Sequence, residues 1–70
     1  MDTNLAKRMI NKADEDCLPE DHDMRTKAKA FEDAVIGYFS KNQTKTAQQV
    51  LGCFARARKC WSDYTGEPLI

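Results

Sequence analysis

The strongest constraint on the fold is a regular apolar stripe in residues 47–66. Its members recur at alternating intervals of three and four residues, at Ala47, Val50, Phe54, Ala57, Trp61 and Tyr64. This interval is typical of an amphipathic α-helix that packs one face against another helix. Gly66 and then Pro68 follow the stripe, an order that is typical of a helix C-terminus. The stripe therefore predicts a helix that ends near residue 64 or 65.

A second stripe of the same kind lies earlier in the chain. Its members are Met24, Ala28, Phe31, Val35 and Tyr38, and Ala34 and Phe39 widen it. We expect this helix to cover about residues 20–41 and to begin at Pro19 or Glu20, because proline suits the first turn of a helix. A shorter stripe predicts a helix over about residues 4–16, and it consists of Leu5, Met9, Ile10 and Ala13.

The second and third helices are separated by residues 40–45, which are polar and typical of a short loop. Thr46 and Gln49 give the pattern Thr-x-x-Gln, a capping box that opens a helix over about residues 46–65. Two helices of about 20 residues joined by a short loop predict an antiparallel hairpin. We therefore expect an all-α fold, with residues 1–70 forming a single domain of one short N-terminal helix and this hairpin.

The small size of the chain favours self-association. A domain of 70 residues has a core that supplies only about 3–5 kcal/mol. One hairpin and a short helix leave part of two wide stripes uncovered, whereas two copies would pair into a dimeric helical bundle. The residues expected to carry the core and the homodimer are Phe31, Val35, Tyr38, Phe39, Val50, Phe54, Ala57 and Trp61.

Charge is distributed unevenly along a chain whose formal net charge is zero. Residues 14–23 contain six acids and no Lys or Arg, whereas residues 25–59 contain eight bases and two acids, a formal +6. The basic part suits a polyanion or an acidic protein, although such charge is most often an ordinary solvated helix face. Within the acidic part we expect a weak partner surface, which doubles as a favourable helix N-terminus, at Glu20, Asp21 and Asp23.

Candidate chemistry is sparse. His22 is the single histidine and lies near Cys17, but a zinc site needs paired Cys or His ligands, so we expect no metal. The other cysteines, Cys53 and Cys60, flank the apolar stripe as small core-edge residues. Three cysteines with no signal peptide or membrane span predict a reducing, cytoplasmic location. We expect no enzyme and no cofactor, because no nucleophile, base and orienting group occur together.

One stretch resembles a known family. The pairs Val35-Ile36 and Tyr38-Phe39 are followed by Gln43-Thr44-Lys45-Thr46-Ala47, then by Leu51-Gly52 and Trp61. This order resembles the helix-turn-helix of phage Cro-type repressors, and the resemblance implies a DNA-binding dimer that reads the major groove. It implies a turn at Leu51-Gly52. It also implies a nucleic-acid surface made of Gln43, Thr44, Lys45, Ala55, Arg56 and Lys59.

Two structures therefore remain open for residues 47–65. A continuous helix keeps Phe54 and Ala57 on the apolar stripe, whereas a turn at Gly52 follows the resemblance. The first predicts a small regulatory or accessory protein, of phage or bacterial type, that self-associates and binds another macromolecule, most readily a protein. The second predicts a DNA-binding regulator.

Overall fold

The structure is a computed structural model, and it describes residues 4–70. These residues form three α-helices and no β-strand: α1 over Asn4–Glu15, α2 over Asp23–Phe39 and α3 over Ala47–Thr65. The all-α class predicted from the sequence is confirmed. The central helix is α2, because it packs against both α1 and α3, whereas α1 and α3 make few direct contacts with each other.

Helices α2 and α3 form an antiparallel hairpin. His22, just before α2, lies beside Tyr64 near the end of α3, with the ring centroids 5.6 Å apart. Phe31, in the middle of α2, packs on Phe54 with the ring centroids 5.4 Å apart. The residue numbers on α3 fall as those on α2 rise, so the two helices run in opposite directions.

Helix α1 ends in a left-handed turn at Cys17, where φ is 54°. The amide of Cys17 donates to the carbonyl of Asp14 at 3.1 Å. The amide of Leu18 donates to the carbonyl of Ala13 at 2.9 Å. These two bonds form a Schellman motif, in which glycine commonly takes the left-handed position. A β-carbon costs roughly 1–2 kcal/mol there, so Cys17 holds a strained conformation.

Helix α2 begins at Asp23, three residues later than the expected start at Glu20. Pro19 opens a turn instead of the helix, and its carbonyl accepts a hydrogen bond from the amide of His22 at 3.1 Å. His22 is the N-cap, because its Nδ1 accepts the amide of Met24 at 3.1 Å. The helix therefore begins directly after His22, because the histidine ring accepts a hydrogen bond from a backbone amide of the first turn.

Helix α3 has the ends that the sequence indicates. Its N-terminus carries the capping box: the Thr46 amide donates to Gln49 Oε1 at 2.8 Å, and the Gln49 amide donates to Thr46 Oγ1 at 3.2 Å. Its C-terminus is closed by Gly66, which has a φ of 77° and donates its amide to the carbonyl of Ser62 at 2.8 Å.

The turn implied by the resemblance to Cro-type repressors is not formed. Helix α3 continues without interruption across Leu51 and Gly52. The physical reason is packing: a continuous helix places Phe54 against Phe31 and buries Ala57 completely. The surface residues assigned from the resemblance therefore belong to one loop and one helix, not to two crossing helices.

The core joins all three helices. The four largest fully buried side chains are Phe31, Met9, Met24 and Leu69. Seven of the eight residues expected in the core and the homodimer pack inside this single chain, because α1 and the segment after α3 cover much of the two stripes. They are Phe31, Val35, Val50, Ala57 and Trp61, which are buried, and Tyr38 and Phe54, which are half-buried. The eighth, Phe39, is 63% exposed.

Residues 66–70 fold back over the helices, one of the two arrangements that the sequence leaves open for Leu69 and Ile70. Leu69 is only 1% exposed. Arg8 on α1 donates to the carbonyl of Leu69 at 2.5 Å, and its guanidinium lies 4.9 Å from the centre of the Trp61 ring. One arginine thus connects α1, α3 and the returning segment.

The continuous α3 predicts that Gly52→Ala stabilises the protein. A β-carbon at Gly52 would meet only the Arg56 guanidinium, at 3.6 Å, which is an ordinary contact. Alanine should therefore gain about 0.5–1 kcal/mol through helix propensity and a less flexible unfolded chain. Thermal unfolding followed by circular dichroism measures the change.

Gly37→Ala is the matched control, because Gly37 also lies inside a helix. Its β-carbon would lie 2.5 Å from Lys45 Cγ and 2.7 Å from Thr44 Oγ1, so we expect a lower melting temperature. A melting temperature that also falls for Gly52→Ala would contradict the continuous helix and favour a turn at that position.

Candidate interaction surfaces

One end of the molecule exposes large apolar side chains. We call residues 36–51 the hairpin end, since they comprise the last turn of α2, the loop and the start of α3. Ile36 is 58%, Phe39 63% and Leu51 57% exposed. Ile36 and Phe39 are three residues apart and so occupy neighbouring positions on α2. Leu51 directly follows the buried Val50 on α3. The hairpin end therefore presents apolar surface from both helices.

The hairpin end is exposed because α1 is short. Arg25, near the start of α2, pairs with Asp14, near the end of α1, at 2.6 Å, and a short turn joins the two antiparallel helices. From this shared end α1 extends 12 residues and α2 extends 17. At 1.5 Å per residue α2 projects roughly 7 Å beyond α1, which is about the length of the stretch that carries Ile36 and Phe39.

The loop of the hairpin end is folded against α2. Ser40 Oγ donates to the carbonyl of Gly37 at 2.9 Å, and the amide of Gln43 donates to the carbonyl of Ser40 at 3.1 Å. Thr44 and Lys45 lie over the Gly37 backbone, where a side chain would collide with them. The loop is thus an ordered part of the surface rather than an open connection.

Charge is distributed unevenly over a molecule that measures 36 × 21 × 17 Å. Residues 34–62 contain no acid, and their five bases are all exposed: Lys41, Lys45, Arg56, Arg58 and Lys59. Eight of the eleven acids lie around the turn between α1 and α2 or at the end of α3: Asp14, Glu15, Asp16, Glu20, Asp21, Asp23, Asp63 and Glu67. The hairpin end therefore carries two lysines and no acid, whereas Arg56 and Lys59 lie in a groove that also contains Asp23 and Asp63.

The residues assigned to nucleic acid from the resemblance fall into two separate groups. Gln43, Thr44 and Lys45 are exposed in the loop. Ala55, Arg56 and Lys59 are exposed on α3. About nine residues of helix, or roughly 13 Å, separate the start of α3 from Arg56. The arrangement offers a basic helix face beside a polar loop.

A groove between α2 and α3 contains the basic part of α3. Lys27, Arg56 and Lys59 line it together with Cys60 and Asp63. Lys59 pairs with Asp63 at 3.3 Å. Burial raises the pKa of the Cys60 thiol, and the nearby carboxylate of Asp23 acts in the same direction. The thiol is therefore kept protonated, the opposite of what a nucleophilic cysteine requires.

Several acids of residues 14–23 have structural roles. Asp14 pairs with Arg25, whose Nε also donates to the carbonyl of Leu18 at 3.0 Å. Asp16 accepts a hydrogen bond from the Tyr64 hydroxyl at 2.6 Å and pairs with Lys12 at 3.5 Å. These contacts fasten the turn between α1 and α2 to the end of α3.

The residues expected to form a weak acidic partner surface are exposed. Asp23 lies in the first turn of α2, as expected, whereas Glu20 and Asp21 lie in the turn before the helix. Among residues 4–70, no group of three or more His, Cys, Asp or Glu is placed to hold a metal ion. Within the same residues, every helix is too short or too polar to cross a bilayer.

Comparison with known proteins gives no relative: no protein-family model, no curated protein and no solved structure matches this chain.

The contact between Asp16 and Tyr64 predicts a pH-dependent contribution to stability. The Tyr64 hydroxyl, followed by the nearby Lys12, lowers the pKa of Asp16. The stabilisation is therefore present above the unfolded pKa of about 4 and is lost as the pH falls through the lower folded pKa. Tyr64→Phe should lower the melting temperature near neutral pH, and this loss should shrink as the pH falls below the ordinary pKa of an aspartate.

Tyr38→Phe serves as the control, because Tyr38 is also half-buried and its ring contacts Phe39 rather than a carboxylate. Its effect on the melting temperature should not change with pH in the acid range. An equal effect of Tyr64→Phe at every acidic pH would show that the hydrogen bond to Asp16 does not stabilise the fold.

Proposed function

We propose that this chain is a small non-enzymatic regulatory or accessory protein that self-associates and binds another macromolecule through the hairpin end. The observation that carries the proposal is the exposure of Ile36, Phe39 and Leu51 at one end of a molecule whose other large apolar side chains on the described helices are buried or half-buried. Fully burying such a side chain is worth about 1.5–3 kcal/mol. Large apolar side chains exposed on both helices at one end make this end the best candidate for an interaction surface.

Self-association would pair two hairpin ends about a two-fold axis. Each copy would then bury its Phe39 and Leu51 against the same residues of the other. Lys41 and Lys45 of each hairpin end oppose this contact, because they bring like charges together. The homodimer should therefore be weak at low salt and stronger when salt screens the bases.

Phe39→Ser should raise the dissociation constant of the homodimer at least about tenfold, since aromatic anchors dominate small interfaces. Sedimentation equilibrium over a range of concentrations, at low and high salt, measures this constant. The melting temperature of the unmodified protein should also rise with its concentration.

Ile70→Ser is the matched control, because Ile70 is 71% exposed but lies outside the hairpin end. It should leave the dissociation constant unchanged. A monomeric mass at every concentration and salt level would exclude self-association from the proposed function.

Nucleic-acid binding is the second candidate. The observation that favours it is the complete absence of acids in residues 34–62, alongside five exposed bases. Such a surface can bind the phosphate backbone of a nucleic acid. It lacks the two crossing helices with which a helix-turn-helix protein contacts the bases. Arg56 and Lys59 would lie nearest the backbone in this case, with Lys45 contacting it from the loop.

This candidate predicts that mixed-sequence duplex DNA or RNA binds at low salt and dissociates steeply as salt rises. The double variant Arg56→Ala with Lys59→Ala should weaken binding about tenfold or more in a fluorescence anisotropy titration. Lys7→Ala, which removes an exposed base on α1, is the control. Undetectable binding to both nucleic acids at low salt would rule the candidate out.

A further inference from the structure

We infer that the partner bound at the hairpin end is an acidic amphipathic helix of another protein. The inference rests on the proposed function and specifies the chemistry of the partner. It combines two properties of one surface, the exposed apolar side chains and the bases without acids. Neither a second copy of this chain nor a nucleic acid matches both properties.

The apolar property requires a partner with apolar side chains of its own. Ile36 and Phe39 project from α2 and Leu51 projects from α3, so the anchors come from both sides of the connecting loop. An amphipathic helix presents apolar residues at intervals of three and four, a spacing that suits anchor points of this kind. A phosphate backbone offers charge but no apolar surface to cover leucine and isoleucine.

The electrostatic property requires the partner to be acidic. Lys41 and Lys45 lie in the loop that separates the apolar residues of α2 from Leu51. No carboxylate occurs between residues 34 and 62 to neutralise them. Acids on the polar face of a bound helix would lie over these lysines while its apolar face covers Phe39. Such complementarity raises the association rate and sets the orientation of the partner.

A second copy of this chain would supply apolar side chains to the hairpin end but no acids opposite its lysines. Its own hairpin end carries the same two lysines, Lys41 and Lys45, and no acid. Most of its acids lie around the turn between α1 and α2 and at the end of α3, where Asp16 accepts a hydrogen bond from Tyr64, and Glu32 and Asp33 lie on α2 before the hairpin end. None of the large exposed apolar residues of α2 and α3 lies beside these acids around the turn or at the end of α3, since Ile36, Phe39 and Leu51 all belong to the hairpin end. A separate acidic chain with apolar residues on one face fits better.

The surface is ordered before the partner arrives. The Ser40 hydroxyl holds the end of α2, and Thr44 and Lys45 pack over Gly37. The capping box at Thr46 fixes the direction in which α3 leaves the loop. A preorganised surface loses less conformational entropy on binding, which favours recognition by a small number of contacts.

The test uses a fluorescein-labelled synthetic peptide of about 18 residues, or five helical turns, with Leu and Phe on one face and Glu on the other. A second peptide has Lys in place of every Glu. Anisotropy titrations with the full chain should show binding of the acidic peptide and weakening with salt, because attraction between opposite charges is screened. The basic peptide should bind at least about tenfold more weakly.

The variants locate the contact. Leu51→Ser, and separately Lys41→Glu with Lys45→Glu, should each weaken the acidic peptide about tenfold. Ile70→Ser and Lys7→Glu are the matched controls, since both residues are exposed outside the hairpin end, and they should leave binding unchanged. Circular dichroism of every variant verifies that the helices persist.

Three outcomes would overturn the inference: no binding of the acidic peptide, equal binding of both peptides, or loss of binding in the control variants. Duplex DNA or anionic lipid vesicles that bind the hairpin end where the acidic peptide does not would also overturn it. Self-association is measured on the same samples and depends on salt in the opposite direction. A homodimer without peptide binding would contradict this inference alone, whereas peptide binding by a chain that is monomeric in the absence of peptide would contradict self-association alone.

Discussion

The burial of Phe31 between the helices is the interaction on which the structure depends. Phe31 is fully buried at the middle of α2, the one helix that packs extensively on both of the others, and its ring packs on Phe54 of α3. Contact with Phe54 fixes the register of the hairpin. That register determines which residues of the two apolar stripes meet and which extend past the core. The hairpin end is exposed because α1, which packs on the other side of α2, is too short to reach it.

Much of the fold follows from local sequence signals. The apolar interval, the Thr-x-x-Gln pattern and the glycine at residue 66 identify α3 and both of its ends, because helix periodicity and caps act over a few residues. The start of α2 is less predictable, since Pro19 suits either a helix or a turn and His22 makes the cap. Gly52 is equally ambiguous until the packing of Phe54 on Phe31 is known. Long-range contacts such as Arg8 with Leu69 leave no periodic signal.

The candidate surface was harder to predict than the fold. Phe39 and Val35 belong to the same apolar stripe, yet Phe39 is 63% and Val35 only 4% exposed. The difference arises because α1 is five residues shorter than α2, and stripe membership does not reveal where a neighbouring helix stops. The uneven charge was visible in the sequence. What the structure adds is that Lys41 and Lys45 belong to the same end of the hairpin as the exposed apolar side chains.

Trp61 lies where α1, α3 and the returning residues 66–70 come together. It is the only tryptophan of the chain, it is 5% exposed, and the Arg8 guanidinium lies 4.9 Å from its ring centre. Its indole nitrogen is buried, with no hydrogen-bond acceptor among residues 4–70. The molecule therefore contains its own optical probe. The emission wavelength of an indole depends on its exposure to solvent and on nearby cations. Detachment of residues 66–70 would therefore shift the emission of Trp61, even if the helices remain intact and the protein carries no added label.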